Sequence, residues 1–538
     1  MLFPCFLLAS LASAAQPPLA WIRSHNGPMS STDNLNAMVI DAQENVYVTG
    51  GSTAPGSSFD FTTIKYSSSG VPQWTAVYNG SGNDVDAANA LAVDNSGNVY
   101  VTGRSRGMNT NEDITTIKYS SYGVQQWVAV YNGTDNLVDE GTAIAVDNAG
   151  NVYVTGYVSM TGTSADIITI KYDANGNQQF IRIFNGTGNG NDEGRDIRVD
   201  GSGNVYVTGK GNETTSSTLS DIVTIKYDNA GNQQWVMAYD GAGDNDYGKA
   251  MTLDNNGNVI VTGYSFLSGY WFDYATIKYS PSGTQLWATR YNHGANRYDE
   301  AWDVVADTAG NIYVTGQSQA LGGNSAQPDY ATVKYNPSGI QQWVARYSST
   351  GNQDDRAFRI ALDDQQQIYV TGYTSAGLGN RNFATVKYDT AGVQQWILTY
   401  TAAGSGMDVP TAIALTPSGS IYVAGSSDLD TTSSVNEDYL VMRYALLTGA
   451  YPLNNPVSLQ VFPNPAAAGT KVAFNCPGSA AEMILYDMAG RELKREELYC
   501  NTGLSVLLET CGLKPGTYLL HLLDTDGRAV ARSRLILQ

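Results

Sequence analysis

The residues that most often carry chemistry are few and scattered in this sequence. Its three histidines, His25, His293 and His521, stand far apart, so a Ser/His/Asp triad or a histidine-rich metal site has almost no material. The four cysteines are Cys5, Cys476, Cys500 and Cys511, and their grouping fits no zinc spacing. Carboxylates, by contrast, are plentiful and periodic. One set runs Asp33, Asp86, Asp139, Asp192, Asp246, Asp299, Asp355 and Asp408. A second runs Asp60, Asp113, Asp166, Asp221, Asp273, Asp329, Asn382 and Asp438, each five residues before a Lys or Arg. Such sets invite a calcium or acid–base reading. Chemistry, however, needs unlike groups converging on one point, whereas a carboxylate that caps a loop does the same work in every copy. The turn Asp94–Asn98 and its copies look like calcium loops but lack the distal Glu. The expectation is therefore structural, with no catalytic residue, no metal and no cofactor assigned.

Unlike groups occur where the periodicity breaks. Positions held by small residues such as Ala90 and Ala143 carry Arg195, Asp196 and Arg198 in the fourth copy, Trp302 and Asp303 in the sixth, and Phe358 and Arg359 in the seventh. An aromatic platform beside Arg and Asp suits stacking on a sugar ring and hydrogen bonding to its hydroxyls or a carboxylate. A second candidate surface is the variable segment 264–272, with Phe266, Tyr270 and Trp271.

The elements that position these residues follow from a repeat. Asn98-Val-Tyr-Val-Thr-Gly103 recurs with its first residue or a substitute at 45, 98, 151, 204, 258, 311, 367 and 420. Around it an Ala-rich stretch, a Thr-Ile-Lys-Tyr stretch and a Gln-Trp stretch keep phase, each short, β-branched or aromatic, and bounded by turn residues. Four strands per unit make one propeller blade. Both faces of the Trp127–Tyr131 strand are apolar or amphipathic, so both need cover, which radial packing of blades provides. Small side chains place the Ala-rich strand innermost, where blades converge, and Trp and Tyr fill the wider rim.

The chain ends complete the ring. Residues 20–26 have the form of a Trp strand without three strands before it, and 411–444 supply three strands without a Trp strand after them. Together they predict an eighth blade closed by the N-terminal strand, which removes open edges. The fold class is thus all-β: an eight-bladed β-propeller over 16–445, a linker over 446–456 with Pro452 and Pro456, and a small β-sandwich over 457–538. Residues 1–15 read as a secretory signal, an apolar run ending in Ala12-Ser-Ala-Ala15. No other stretch is apolar enough for a membrane span. The formal charge of -20 repels phosphate backbones and so excludes a nucleic-acid partner. From Val457 onward eight basic and eight acidic residues cancel, so the negative charge belongs to the propeller.

The phrase Asp-x-x-Gly-Asn-Val-Tyr-Val-Thr-Gly with its following Ile-Lys-Tyr strand resembles the secreted bacterial β-propeller repeats known as SBBP, over roughly residues 20–446. That family is named for seven blades; eight copies stand here. The resemblance implies an extracellular propeller and brings no catalytic residues. Phe462-Pro-Asn-Pro465, Leu485–Arg491, Leu513–Tyr518 and the basic-apolar ending Arg534–Gln538 look like the C-terminal sorting domain of type IX secretion. This second resemblance implies a Bacteroidota-type bacterium, handling by the type IX machinery, export across the outer membrane, and removal of the domain with attachment of the rest to surface polysaccharide. The expected function is a secreted or surface-attached, non-catalytic binding or scaffold propeller with a glycan or protein ligand. The alternative is a polysaccharide-active enzyme, a lyase or glycosidase using carboxylates with Arg and Tyr.

Overall fold

The computed structural model describes residues 16–29, 31–56, 58–212, 219–241, 245–266, 271–294, 298–319, 327–350, 353–375, 380–402, 406–429 and 436–445. In the C-terminal part it describes 461–462, 471–475, 482–487, 492–497, 505–510, 513–523 and 529–537. Expectations for residues 1–15, for Tyr270 and for all four cysteines lie outside these.

Eight four-stranded antiparallel sheets form the propeller. Blade 2 shows the pattern, with strands Asp86–Val93, Val99–Arg106, Glu112–Tyr119 and Gln125–Tyr131 paired in sequence order. First strands of successive blades lie against one another around the ring, and Val409–Leu415 of blade 8 lies against Asp33–Ile40 of blade 1. In blade 8 the fourth strand is Leu19–His25, paired with Glu437–Ala445, so the N-terminal strand closes the ring as expected. Leu35 N donates to Ser426 Oγ (2.9 Å) and Tyr439 OH to the Thr62 carbonyl (3.3 Å) across this last junction.

The apolar cores lie between blades. Tyr47 and Phe61 of blade 1 pack with Leu91, Val99, Val101 and Ile117 of blade 2, all nearly inaccessible. The recurring Trp ties each outer strand to the next blade: Trp74 Nε1 donates to the Ser121 carbonyl (3.0 Å) and Trp127 Nε1 to that of Ala174 (3.2 Å). Where Phe180 replaces this Trp, the Arg182 guanidinium stacks on its ring at 5.2 Å and donates to the Gly231 carbonyl instead. The first aspartate set is buried and structural. Asp86 accepts from Gly80 N (2.6 Å) and Arg106 N (3.0 Å), clasping the incoming loop to the end of the second strand. The Asp94 turn is likewise internal: its carboxylate takes Ser96 N, Asn98 N, Asn98 Nδ2 and Tyr100 OH.

The C-terminal unit, taken by itself, holds two antiparallel sheets of three and four strands among its described residues. In the strand Glu492–Glu497 five of the six residues are charged, so it carries no alternating apolar pattern. It lies at a sheet edge, where charge blocks further strand pairing.

Candidate functional site

Every innermost strand slips register at the same point. The slips fall at Leu35/Ala37, Ala88/Ala90, Gly141/Ala143, Gly194/Asp196, Gly248/Ala250, Ala301/Asp303, Ala357/Arg359 and Pro410/Ala412. One residue per blade is left over as a bulge: Asn36, Asn89, Thr142, Arg195, Lys249, Trp302, Phe358 and Thr411. The bulge explains the Thr-Gly of the repeat phrase. A Cβ on Gly156 would sit 1.8 Å from the Glu140 carbonyl oxygen, and the other seven equivalents would meet the corresponding carbonyl within 2.1 Å. Only glycine lets the partner strand pass.

Seven of the eight bulged residues line a cavity of about 380 Å³ together with Glu140, Arg359, Val409 and Pro410, so the bulge turns side chains toward the axis. A neighbouring cavity of about 550 Å³ shares Asn36, Asn89, Val409 and Thr411 and extends past Arg104, Phe59 and Glu437.

In blades 8, 1, 2 and 3 the bulged side chain bonds the next blade. Thr411 Oγ1 donates to Leu35 O (3.1 Å), Asn36 Nδ2 to Ala88 O (2.8 Å), Asn89 Nδ2 to Gly141 O (2.9 Å) and Thr142 Oγ1 to Gly194 O (2.6 Å). In blades 4 to 7 the same position carries Arg195, Lys249, Trp302 and Phe358. Arg195 turns to Glu193 of its own strand. Lys249 Nζ lies 4.7 Å from the Trp302 ring centre and 5.2 Å from that of Tyr264. Trp302 and Phe358 meet edge to face at 5.7 Å. The Trp302 indole N–H is buried and has no hydrogen-bond partner.

Asp196 and Asp303 take over the lost stitching. Asp196 accepts from Ile197 N and from Met251 N of blade 5, both at 2.8 Å, and Asp303 accepts from Val304 N (2.9 Å) and from Ile360 N of blade 7 (3.0 Å). Arg198 pairs with Asp196 (2.9 Å) and donates to Met251 O, and Arg359 donates to Phe358 O (2.9 Å). Burial pushes both aspartates up, against the pull of Arg198 on Asp196 and Arg359 on Asp303.

The two surfaces singled out in sequence are joined by aromatic contacts. From Lys249 the run passes through Tyr264, which meets Phe272 at 4.8 Å; Phe272 meets Phe266 at 5.4 Å and Tyr298 at 5.8 Å. Trp271 packs on Tyr298 at 4.4 Å and is 45% exposed.

Sequence reasoning missed Lys249, Glu140, Glu193 and Glu300. Lys249 lies among small residues in Gly248-Lys249-Ala250, and only the bulge column, aligned across all eight copies, sets it beside Arg195 and Trp302. Burial, reinforced by Arg195, pushes the Lys249 ammonium down to about 8, while Glu300 and Glu193 oppose the shift. Glu193 is held below the usual carboxylate range: burial would raise it, but Arg195 and Lys210 outweigh that, and Lys210 Nζ is 2.8 Å away. Glu140 accepts from Tyr157 OH (2.9 Å). The mouth gathers no cluster of three His, Cys, Asp or Glu ligand atoms among the described residues. No helix of the described residues is long and apolar enough to cross a membrane.

Comparison with known proteins bears on fold and export. Residues 73–109, 126–157 and 179–214 match the beta-propeller repeat, and residues 460–538 match the secretion system C-terminal sorting domain. An uncharacterized WD repeat-containing protein of Acanthamoeba polyphaga mimivirus is 22% identical, covering 59% of this chain; the chain spans 32% of that protein's length. Among solved structures, a fungal alcohol oxidase in complex with copper is 15% identical, with a TM-score of 0.39 over 83% of this chain and 96% of that one. An ulvan lyase bound to its saccharide is 11% identical, with a TM-score of 0.40 over 66% of this chain and 90% of that one. Likeness at this level bears on no question of activity. The chain carries SBBP-type β-propeller repeats and a C-terminal sorting domain of the type IX kind, and is therefore secreted or attached to the cell surface.

Proposed function

We propose that the protein is a non-catalytic glycan-binding propeller whose ligand enters the axial mouth and rests on blades 4 to 7. The observation that supports this most directly is Trp302. Its half-buried ring forms a corner with Phe358 on the wall of the axial cavity, and its N–H has no partner. A sugar ring offers an apolar C–H face to such a corner and a hydroxyl oxygen to the indole N–H. Lys249, Arg195 and Arg359 add positive charge beside the corner in a protein of net charge -20, which favours a ligand bearing carboxylates. The adjoining cavity over blades 8, 1 and 2 gives an extended polymer room to continue.

Affinity gel electrophoresis of the full chain through acidic bacterial, algal and plant polysaccharides tests this reading. Retardation by at least one polymer, lost in Trp302→Ala and Arg359→Ala, is expected. Absence of retardation by every polymer overturns it, and shortening of the polymer in the same lane replaces it with the lyase or glycosidase alternative.

A further inference from the structure

In each blade the residue after the first-strand aspartate pairs with a residue of the second strand, two positions before the bulge. In blades 3 to 7 these pairs are large and engaged. Tyr157 OH donates to Glu140 (2.9 Å), Lys210 Nζ pairs with Glu193 (2.8 Å), Gln317 Nε2 donates to Glu300 (2.8 Å), and the Tyr247 and Tyr264 rings meet at 5.0 Å. Arg356 and Tyr373 both bond Asp354. In blades 8, 1 and 2 the pairs are Val409 with Ser426, Asn34 with Gly51, and Ala87 with Arg104. All but Arg104 are small, and all six line the cavity of about 550 Å³. That cavity is the volume which large side chains fill elsewhere in the ring, and it falls in the range of about 300–1,000 Å³ usual for small-ligand sites.

Its polar groups are short of partners. Among the described residues the Glu437 carboxylate and the Asn34 side-chain amide make no hydrogen bond and no ion pair. Arg104 Nε is buried without a partner, and its Nη1 reaches Glu140 only at 3.4 Å. Burial pushes the Glu437 carboxyl up, reinforced by Asp428 and opposed by Arg381. Desolvated polar groups without partners cost free energy, which a ligand that pairs them recovers. Beside them the Phe59 ring stands against Gly51, where an added Cβ would come within 3.2 Å of it.

We propose that this cavity is a subsite for a neutral, hydroxyl-bearing sugar unit, so that the ligand is a polysaccharide whose uronate units are separated by neutral ones. The proposal rests on the axial glycan reading and adds the composition of the polymer. Hydroxyls donate to Glu437 and accept from Arg104 and Asn34, while Phe59 and Val85 offer an apolar wall to the C–H face of a ring. A uronate is disfavoured there, because its carboxylate meets that of Glu437 while Arg104 is already drawn to Glu140. Around Trp302 the balance is reversed by Lys249, Arg195 and Arg359. Asn36, Asn89, Val409 and Thr411 line both cavities, so one polymer can occupy the two together.

The full chain is run by affinity electrophoresis through polygalacturonate and alginate, in which every unit is a uronate, and through hyaluronan, gellan and glucuronoxylan, in which uronates occur among neutral units. Stronger retardation by at least one of the second group than by either polyuronate is expected. Glu437→Ala and Ala87→Tyr are each expected to weaken that affinity by about tenfold or more, with an unchanged thermal midpoint. Ala87→Tyr fills the cavity with the residue that blade 5 carries at the same position, Tyr247, and is therefore expected to fold. Unchanged retardation in either variant overturns the proposal, as does strongest retardation by a polyuronate; in both cases a loss of retardation in Trp302→Ala leaves the axial reading standing. Absence of retardation by every polymer overturns the two together.

Discussion

The ring of bulged residues has two halves built on one backbone. In blades 8, 1, 2 and 3 the bulge carries Thr411, Asn36, Asn89 and Thr142, whose side chains bond the next blade. In blades 4 to 7 it carries Arg195, Lys249, Trp302 and Phe358, and in blades 4 and 6 the stitch between blades moves one residue along to Asp196 and Asp303. The backbone device is the same throughout, yet one half spends its side chains on holding the ring and the other is released for contact. In blades 4 and 6 the relocated stitch frees the bulge, so a charged residue in this repeat is informative only once its role in stitching is known. Asp196 and Asp303 look like ligand groups in sequence, but both oxygens of each are held by backbone amides.

The largest expected effect tests what the halves share. Gly156→Ala in blade 3 and Gly263→Ala in blade 5 each force a Cβ to within 1.8 Å of a carbonyl oxygen, and each is expected to lower stability by about 3 kcal/mol or more in urea titrations. Similar losses support a common bulge, and a mild effect in either blade breaks the equivalence. Next, Asn89→Ala removes bonds to Gly141 O and to Glu140. It is expected to lower stability by about 1–3 kcal/mol and to weaken polysaccharide retardation less than Trp302→Ala, which is expected to abolish retardation and spare stability. Equal effects of the two substitutions on binding would erase the distinction between the halves.

A smaller effect concerns pH at the mouth. Because Lys249 titrates near 8, retardation by an acidic polymer is expected to weaken from pH 7 to pH 9, and Lys249→Met is expected to flatten that profile. A profile unchanged by the substitution assigns the charge elsewhere. The smallest concerns the symmetric aspartates. Burial raises Asp139, Asp246 and Asp299 to about 6, so the folded state holds their protons more tightly than the unfolded chain. The stability they contribute is full below about pH 4 and is lost as pH rises through about 6. Asp94, Asp147 and Asp200 run the other way: burial would raise them, but side-chain and backbone hydrogen bonds outweigh it and hold them below the usual value. Their contribution is lost as pH falls below about 4. The thermal midpoint is therefore expected to be higher at pH 5 than at pH 8 and to drop again in stronger acid.

Repetition made the fold legible. Eight copies of one phrase, with strand length set by turn residues and orientation by side-chain size, sufficed for eight blades and for closure by an N-terminal strand, expected over 20–26 and found at Leu19–His25. Export was legible for the same reason, since the sorting domain's phrases keep their order and spacing. Sequence alone also marked Trp302, Phe358 and Arg195 as departures from the repeat. Tertiary structure decided what each departure does. Register slip is a relation between two strands and leaves no composition signal, so Lys249 is invisible until Gly248 and Ala250 are seen to pair with Gly263 and Thr262. Hydrogen-bond satisfaction is likewise three-dimensional: identical aspartates are clasped in blade 2 and stitching in blade 4. Local physics fixed the blade, and the packing of blade on blade fixed which side chains were left over.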